Sequence, residues 1–214
     1  MLFCFDYDGV IVDSFDVLLR YCQAGQRAIG VGRQPRAEDL RSIGSLTFDG
    51  LAEHIGIGVA DRARYRAAIF ELQRMEGWPV RPFDGIESAL SDLALEHRIV
   101  IVTAADSATV TRSLEQHGLM VHVTRVLGAE SGTSKSERIG EAMRALRQRP
   151  DQTVMVGDAI SDIREGKRAG VRTAAVAWGY QPEHLLRAQD PDWFLRQPAE
   201  LTGLVELAAG TGAG

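Results

Sequence analysis

The chain has 214 residues, 45% of them hydrophobic and 25% charged, with a formal net charge of −5; this is ordinary globular composition, enough for one sizeable domain or a core domain carrying a smaller insert. The acidic balance weighs against a nucleic-acid partner, whose phosphates attract basic surfaces. No apolar stretch approaches the length of a membrane span, and the opening apolar run breaks at Asp6 with no basic segment before it, unlike a signal peptide, so a cytoplasmic protein without a membrane partner is expected.

The first predicted element is a buried strand over about Leu2–Phe5. It runs straight into Asp6-Tyr7-Asp8-Gly9-Val10. Two carboxylates spaced i, i+2 at the end of a buried strand repel each other, and burying either one unpaired is unfavourable. A divalent cation offsets both costs. The pair could then divide a covalent reaction, one carboxylate as nucleophile and the other as acid/base. An isolated D-x-D also occurs in loops where acidic residues cap a turn or helix, so the downstream sequence has to carry the distinction. Cys4 in this strand and Cys22 in the next predicted helix read as small buried hydrophobes, not as a disulfide pair.

From Ser14 to about Arg81 the pattern is helical throughout. Ser14 is a candidate N-cap for a helix through Val17, Leu18, Tyr21 and Cys22, and helices are also expected over residues 38–41, 48–54 and 60–75. Pro79, Pro82 and Gly85 mark the boundary. Beyond it, helices alternate with short β-branched runs at residues 99–102, 121–127, 153–156 and 173–176, with a final short strand at 193–195. Strands this apolar on both faces belong in a parallel sheet covered on each side. The expected fold is therefore α/β, a doubly wound parallel sheet with an inserted all-helical unit. The core is assigned to residues 1–13 and 83–214 and the insert to 14–82.

In open parallel sheets ligands bind beyond the carboxyl ends of the strands. Those ends carry Asp6 and Asp8, then Thr103, then Gly157-Asp158, and Lys135 leads into a helix that Ser134 can cap. Thr103 with Ala104-Ala105-Asp106 reads either as an anion-holding hydroxyl with adjacent backbone N–H groups or as a helix start capped by Asp106. Lys135 is one of only two lysines against 22 arginines, and a compact point charge before a helix suits an anion. In Gly157-Asp158-Ala159-Ile160-Ser161-Asp162 the two aspartates can share one face of a helix's first turn. Hard oxygens such as Asp6 and Asp158 suit Mg²⁺.

This ordered series, Asp6-Tyr7-Asp8-Gly9-Val10, Thr103, Lys135 and Gly157 to Asp162, resembles the four motifs of the haloacid dehalogenase (HAD) superfamily over nearly the whole chain. The helical insert resembles the C1-type cap of the phosphoglycolate phosphatase and β-phosphoglucomutase branch. Ala177-Trp178-Gly179-Tyr180 with Glu183-His184-Leu185-Leu186 also resembles phosphoglycolate phosphatase-like members. The resemblance implies a Rossmann-like core and a Mg²⁺-dependent phosphatase for a small phosphorylated metabolite, phosphoglycolate among the candidates. Asp6 would be the nucleophile forming an aspartyl-phosphate and Asp8 the acid/base. Asp6, the Asp8 carbonyl and Asp158 would hold Mg²⁺, with Asp162 behind them; Thr103, Ala104 and Lys135 would bind phosphoryl oxygens.

Three departures stand out: Tyr7 where the branch more often has Phe, Ser136-Glu137 after Lys135 in place of a proline-containing run, and Ala104-Ala105-Asp106 after Thr103. Asp8 argues against a dehalogenase, which lacks the second aspartate. Residues 15–80 contain no lysine, which argues against a phosphonoacetaldehyde hydrolase and weakens the runner-up, a sugar phosphomutase. A non-catalytic binding protein of the same fold is the alternative from another class. Within the insert, Arg41 and Ser45 are candidate substrate contacts, with Arg66 and His54 behind them; Arg41 reads more readily as a surface helix residue. The insert is expected to open and close about residues 12–15 and 80–84. A monomer or homodimer is expected.

Overall fold

The computed structural model describes residues 1–44, 47–77 and 79–205. The described strands and α-helices begin with β1 (Leu2–Phe5), β2 (Val12–Asp13), α1 (Phe15–Ile29), α2 (Ala37–Ser42), α3 (Phe48–His54), α4 (Val59–Glu76) and β3 (Arg81–Pro82). They continue with α5 (Ile86–Ala94), β4 (Arg98–Val102), α6 (Ser107–Gln116), β5 (Arg125–Leu127), α7 (Lys135–Leu146) and β6 (Thr153–Gly157). The last are α8 (Ile160–Arg168), β7 (Arg172–Val176), α9 (Glu183–Arg187) and β8 (Trp193–Leu195). The chain divides into two compact units, one from residues 1–13 and 81 onward, the other Ser14–Val80.

The first unit is a parallel six-stranded sheet in the order β5-β4-β1-β6-β7-β8. β1 sits inside it because Leu2, Phe3, Cys4 and Phe5 are all fully buried, so both of its faces need a covering layer. It pairs in parallel with β4, Phe5 opposite Ile101, and with β6, Phe5 opposite Val156. One core cluster joins Leu2, Cys4, Val100, Val102, Met155 and Ile139 of α7. Residues 121–127, expected as one strand, form a strand only over Arg125–Leu127. Met120–His122 is a single 3₁₀ turn with Val121 82% exposed, and pairing with β4 begins only at Arg125, opposite Val100. Arg81 and Pro82, assigned to the insert by sequence, form β3 and pair antiparallel with β2 in the core unit. Phe83 N–H then donates to Ile11 O at 3.0 Å.

The helical unit has its own core of Tyr21, Cys22, Leu40, Leu51, Ile57, Tyr65 and Ile69 among others. α1 and α4 pack closely because Gly25 leaves room for Ile69; a Cβ there would lie 2.7 Å from Ile69 Cγ1. Ser14 does precede α1, but its side chain makes no cap hydrogen bond. Cys4 and Cys22 are free and buried, in different units, and burial pushes both thiols up to about 12.

A polar network ties α2 to its surroundings. The Asp39 carboxylate accepts from both Nη atoms of Arg33 at 2.6 Å, from Arg36 N at 2.7 Å, and lies 3.0 Å from His54 Nε2. The Arg33 guanidinium, foremost, holds this carboxyl well below the usual range. A depressed folded pKa stabilises above the unfolded carboxylate pKa and is lost as pH falls. Asp39→Ala is expected to cost roughly 1–2 kcal/mol near neutral pH, for the lost cap and buried acceptor, with a smaller penalty in acid. Thermal unfolding of the variant across pH measures this; an unchanged Tm at neutral pH would rule the network out as a support.

Candidate active site

β1 and β6 are neighbours, and the chain reverses its direction of travel across the sheet beside them, moving from β1 out to β4 and β5 before returning to β6. Their carboxyl ends are therefore where a crevice forms. Asp6 continues the ladder by donating its N–H to Val156 O at 2.9 Å, and the chain then turns sharply, with Ile11 N–H on Tyr7 O at 2.9 Å. Gly9 enables the turn at φ +78°. Tyr7 N–H donates to Asp6 Oδ1 at 2.7 Å, and the buried Tyr7 hydroxyl donates to Ser113 Oγ of α6 at 2.6 Å. That bond accounts for the tyrosine in place of phenylalanine.

Asp6, Asp158 and Asp162 converge, with one oxygen of each within 4.8 Å of the others. Lys135 Nζ stands 3.0 Å from Asp6 Oδ2 and 2.5 Å from Asp162 Oδ1. The lysine is delivered by a reciprocal cap: Ser134 Oγ accepts from Glu137 N at 3.2 Å, and Glu137 Oε2 accepts from Ser134 N at 2.8 Å. Asp162, at the third position of α8, accepts from Ala159 N at 3.1 Å, and Asp158 Oδ2 accepts from Tyr180 N at 2.7 Å. Glycines make this crowding feasible. A Cβ at Gly9 would lie 2.2 Å from Asp158 Oδ2, one at Gly179 2.2 Å from Asp158 Cβ, and one at Gly157 2.2 Å from Asp162 Cβ.

The electrostatics are strained in one direction. Burial, then the charges of Asp162 and Asp6, push Asp158 well above the carboxylate range. Burial likewise raises Asp162, to about 6, with Lys135 pulling against it. Burial alone would lower Lys135; Asp162 and Asp6 outweigh it and hold the ammonium above its usual range. Three carboxylates against one ammonium leave an excess of negative charge on hard oxygens. That donor set fits a divalent cation.

Asp8 lies on the same turn, half-buried and bridged to Val12, and its carboxylate is not part of the three-carboxylate group. Thr103 is buried at the end of β4; its Oγ1 accepts from Ala105 N at 3.0 Å, so that backbone donor already has a partner, while Ala104 is exposed. α6 starts as the helix-start reading expects: Asp106 Oδ2 accepts from Thr109 N at 2.9 Å, and Glu130 Oε2 accepts from Ser107 N at 3.1 Å. Arg41 belongs to the helical unit, where its guanidinium sits 4.5 Å over the Phe15 ring. Arg66 pairs with Asp49, and His54 with Asp39. Ser45 lies outside the described residues.

Three residues to which the sequence assigned no role hold the site together. Trp178 Nε1 donates to Val10 O at 3.1 Å, tying the segment after β7 to the aspartate turn. Gln181, 3% exposed, accepts from Ile160 N at 2.7 Å at the start of α8. Arg138, 5% exposed, binds backbone carbonyls on the neighbouring strand ends. Trp178 falls in the Ala177-Trp178-Gly179-Tyr180 stretch, whose family resemblance was a signal; the other two are single polar residues in helical or loop context.

A parallel sheet with acidic groups at the ends of its two central strands and a lysine between them defines the class. Residues 3–176 match the model of the haloacid dehalogenase-like hydrolases. The chain belongs to that family. It is 26% identical over 213 residues to pyrophosphatase PpaX of Halalkalibacterium halodurans, covering 96% of each chain. It is 31% identical over 195 residues to tyrosine-protein kinase PtkA of Mycobacterium tuberculosis, covering 84% of this chain and 62% of that protein. Among solved structures, a haloacid dehalogenase-like hydrolase, SP0104 of Streptococcus pneumoniae, superposes with a TM-score of 0.85 at 20% identity, over 95% of this chain and 97% of that one. No helix among the described residues is long and apolar enough to cross a membrane.

Proposed function

We propose that the protein is a Mg²⁺-dependent phosphatase for a small phosphorylated metabolite, an ester or an anhydride, acting through a covalent phosphoryl group on Asp6. The observation that carries this is the convergence of Asp6, Asp158 and Asp162 around Lys135. Mg²⁺, when bound by Asp6, Asp158 and the Asp8 carbonyl, would neutralise the carboxylates and draw in a phosphoryl oxygen. An Asp6 oxygen attacks phosphorus, and the bond to the leaving oxygen breaks as Asp8 protonates it. Asp8 then takes a proton from water; the water oxygen attacks phosphorus, and the bond to Asp6 breaks, restoring the carboxylate. Lys135, Thr103 and the Ala104 N–H hold the remaining phosphoryl oxygens. The full-length likeness to PpaX supports including an anhydride among the substrates.

A phosphate-release screen with Mg²⁺ over p-nitrophenyl phosphate, phosphoglycolate, pyrophosphate and sugar phosphates tests this reading. Inert wild-type protein across the whole panel would sink it, and conversion of a sugar phosphate to its isomer without net phosphate release would favour the mutase.

The cluster also sets a pH-dependent response to the metal. A carboxylate with a raised folded pKa stabilises fully below its unfolded pKa, and that contribution is lost as pH rises through the folded one, here from 3.8 to about 6 for Asp162. Metal-free protein is expected to lose this stability across that window. Mg²⁺ is expected to raise Tm by several °C at about pH 8 and by little at about pH 5, since binding at 100 times Kd adds about 2.7 kcal/mol. Thermal scans with Mg²⁺ or with chelator check this; a Mg²⁺ gain that is equal at both pH values refutes it.

A further inference from the structure

Arg138 lies in the first turn of α7, three residues after Lys135, and is 5% exposed. Its partners are backbone carbonyls. Nη1 donates to Thr103 O at 2.5 Å and to Leu127 O at 3.4 Å, and Nε donates to Ser134 O at 3.4 Å. Burial pulls this guanidinium below its usual pKa, and Asp6, Glu130 and Glu165 act against that. A charge this deep, with carbonyls for partners, is a costly way to fill space. The three carbonyls belong to the end of β4, the end of β5 and the cap of α7, the strand ends and helix start from which Thr103, Ala104 and Lys135 project.

Thr103 O belongs to the Thr103–Ala104 peptide, and no peptide bond among the described residues is cis. A trans peptide sends its C=O and its N–H to opposite sides. Anchoring Thr103 O on a buried guanidinium therefore turns the Ala104 N–H the other way, at a residue that is exposed. Leu127 O, held by the same Nη1, also accepts the Thr103 N–H at 3.0 Å, so both peptides of Thr103 are fixed together. The third carbonyl, Ser134 O, begins the peptide that leads into Lys135.

We propose that Arg138 is a positioning residue that presents the Ala104 N–H and the Lys135 ammonium as joint ligands of a phosphoryl group. The inference rests on the phosphoryl-transfer reading. A lysine at this position keeps the charge but, with a single nitrogen, cannot span three carbonyls in the guanidinium's fork geometry.

The test compares Arg138→Lys and Arg138→Met with wild type in Mg²⁺, reading kcat and KM for p-nitrophenyl phosphate, inhibition by inorganic phosphate, and Tm. Arg138→Lys is expected to stay folded and keep its Mg²⁺-induced Tm gain. Its kcat should fall by about 100-fold, as for a misplaced oxyanion donor, with inhibition by phosphate weakened in parallel. Arg138→Met should lose more. Wild-type kcat and phosphate inhibition in Arg138→Lys overturns the proposal, as does a loss that only tracks the folded fraction. Should wild type hydrolyse nothing, the phosphatase reading falls by itself. Calorimetric binding of inorganic phosphate then decides on Arg138: weaker binding in Arg138→Lys upholds its role, and equal binding overturns it.

Discussion

Asp6→Asn should lower hydrolysis of p-nitrophenyl phosphate by at least about 1,000-fold, because an amide oxygen is a poor nucleophile towards phosphorus and removal of a covalent nucleophile removes the pathway. The substitution is nearly isosteric. Its side-chain oxygen can still accept from Tyr7 N–H, which now meets Asp6 Oδ1 at 2.7 Å. Lys135 keeps its 2.5 Å contact with Asp162. The variant should therefore fold, and its metal-free form should be more stable than wild type above about pH 6, where the remaining carboxylates no longer face a third charge. Asp6 is among the charges that raise both Asp158 and Asp162, so its removal lets both ionise more readily.

Loss of turnover alone would fit a residue that merely holds metal. The distinguishing measurement is Asp158→Asn beside Asp6→Asn at high Mg²⁺. Excess metal should recover part of the activity of the Asp158 variant, which lacks a ligand, and none for Asp6→Asn, which lacks the attacking atom. Recovery of both by metal, or wild-type activity in Asp6→Asn, would remove Asp6 as nucleophile.

What the sequence made legible follows from where its signals are local. Strand ends could be placed because β1, β4, β6 and β7 are apolar on both faces, which only a covered parallel sheet accommodates. Asp6 and Asp158 could be grouped because each directly follows such a strand, and Lys135 could be added because it opens a helix behind a recognisable cap. The Ser134 cap was legible for the same reason, since the box lies within four residues. The rest depends on contacts between distant segments. Arg138 reaches Thr103 across 35 positions, and Tyr7 reaches Ser113 across 106; neither pairing leaves a trace in local periodicity. In the helical unit, a substrate role for His54 and Arg66 stayed open in the sequence because their carboxylate partners, Asp39 and Asp49, are 15 and 17 residues away. The break at Val121 escaped for a simpler reason: a β-branched run reads as a strand whether or not a neighbouring strand is available to pair with it.

The glycines around Asp158 provide the sharpest check on the geometry. Gly9→Ala should depress kcat by about 100-fold or more and largely abolish the Mg²⁺-induced rise in Tm. Two effects combine there. The residue sits at φ +78°, which costs a side-chain-bearing residue about 1–2 kcal/mol. The added Cβ would also stand 2.2 Å from Asp158 Oδ2 and 2.6 Å from its Cγ, so the carboxylate must move. It has little room to retreat, since Tyr180 N–H holds Oδ2 at 2.7 Å and Gly179 passes close against its Cβ. Gly30→Ala separates strain from displacement. Gly30 has a similar φ of +68°, ends α1 in the helical unit, and has nothing within 4 Å of a built Cβ. It should lose a comparable 1–2 kcal/mol of stability, roughly, and keep full activity and metal response. Thermal scans with and without Mg²⁺, run beside p-nitrophenyl phosphate kinetics on both variants, make the comparison. If Gly9→Ala behaves like Gly30→Ala, Asp158 can shift without consequence, and its present position is not what binds metal.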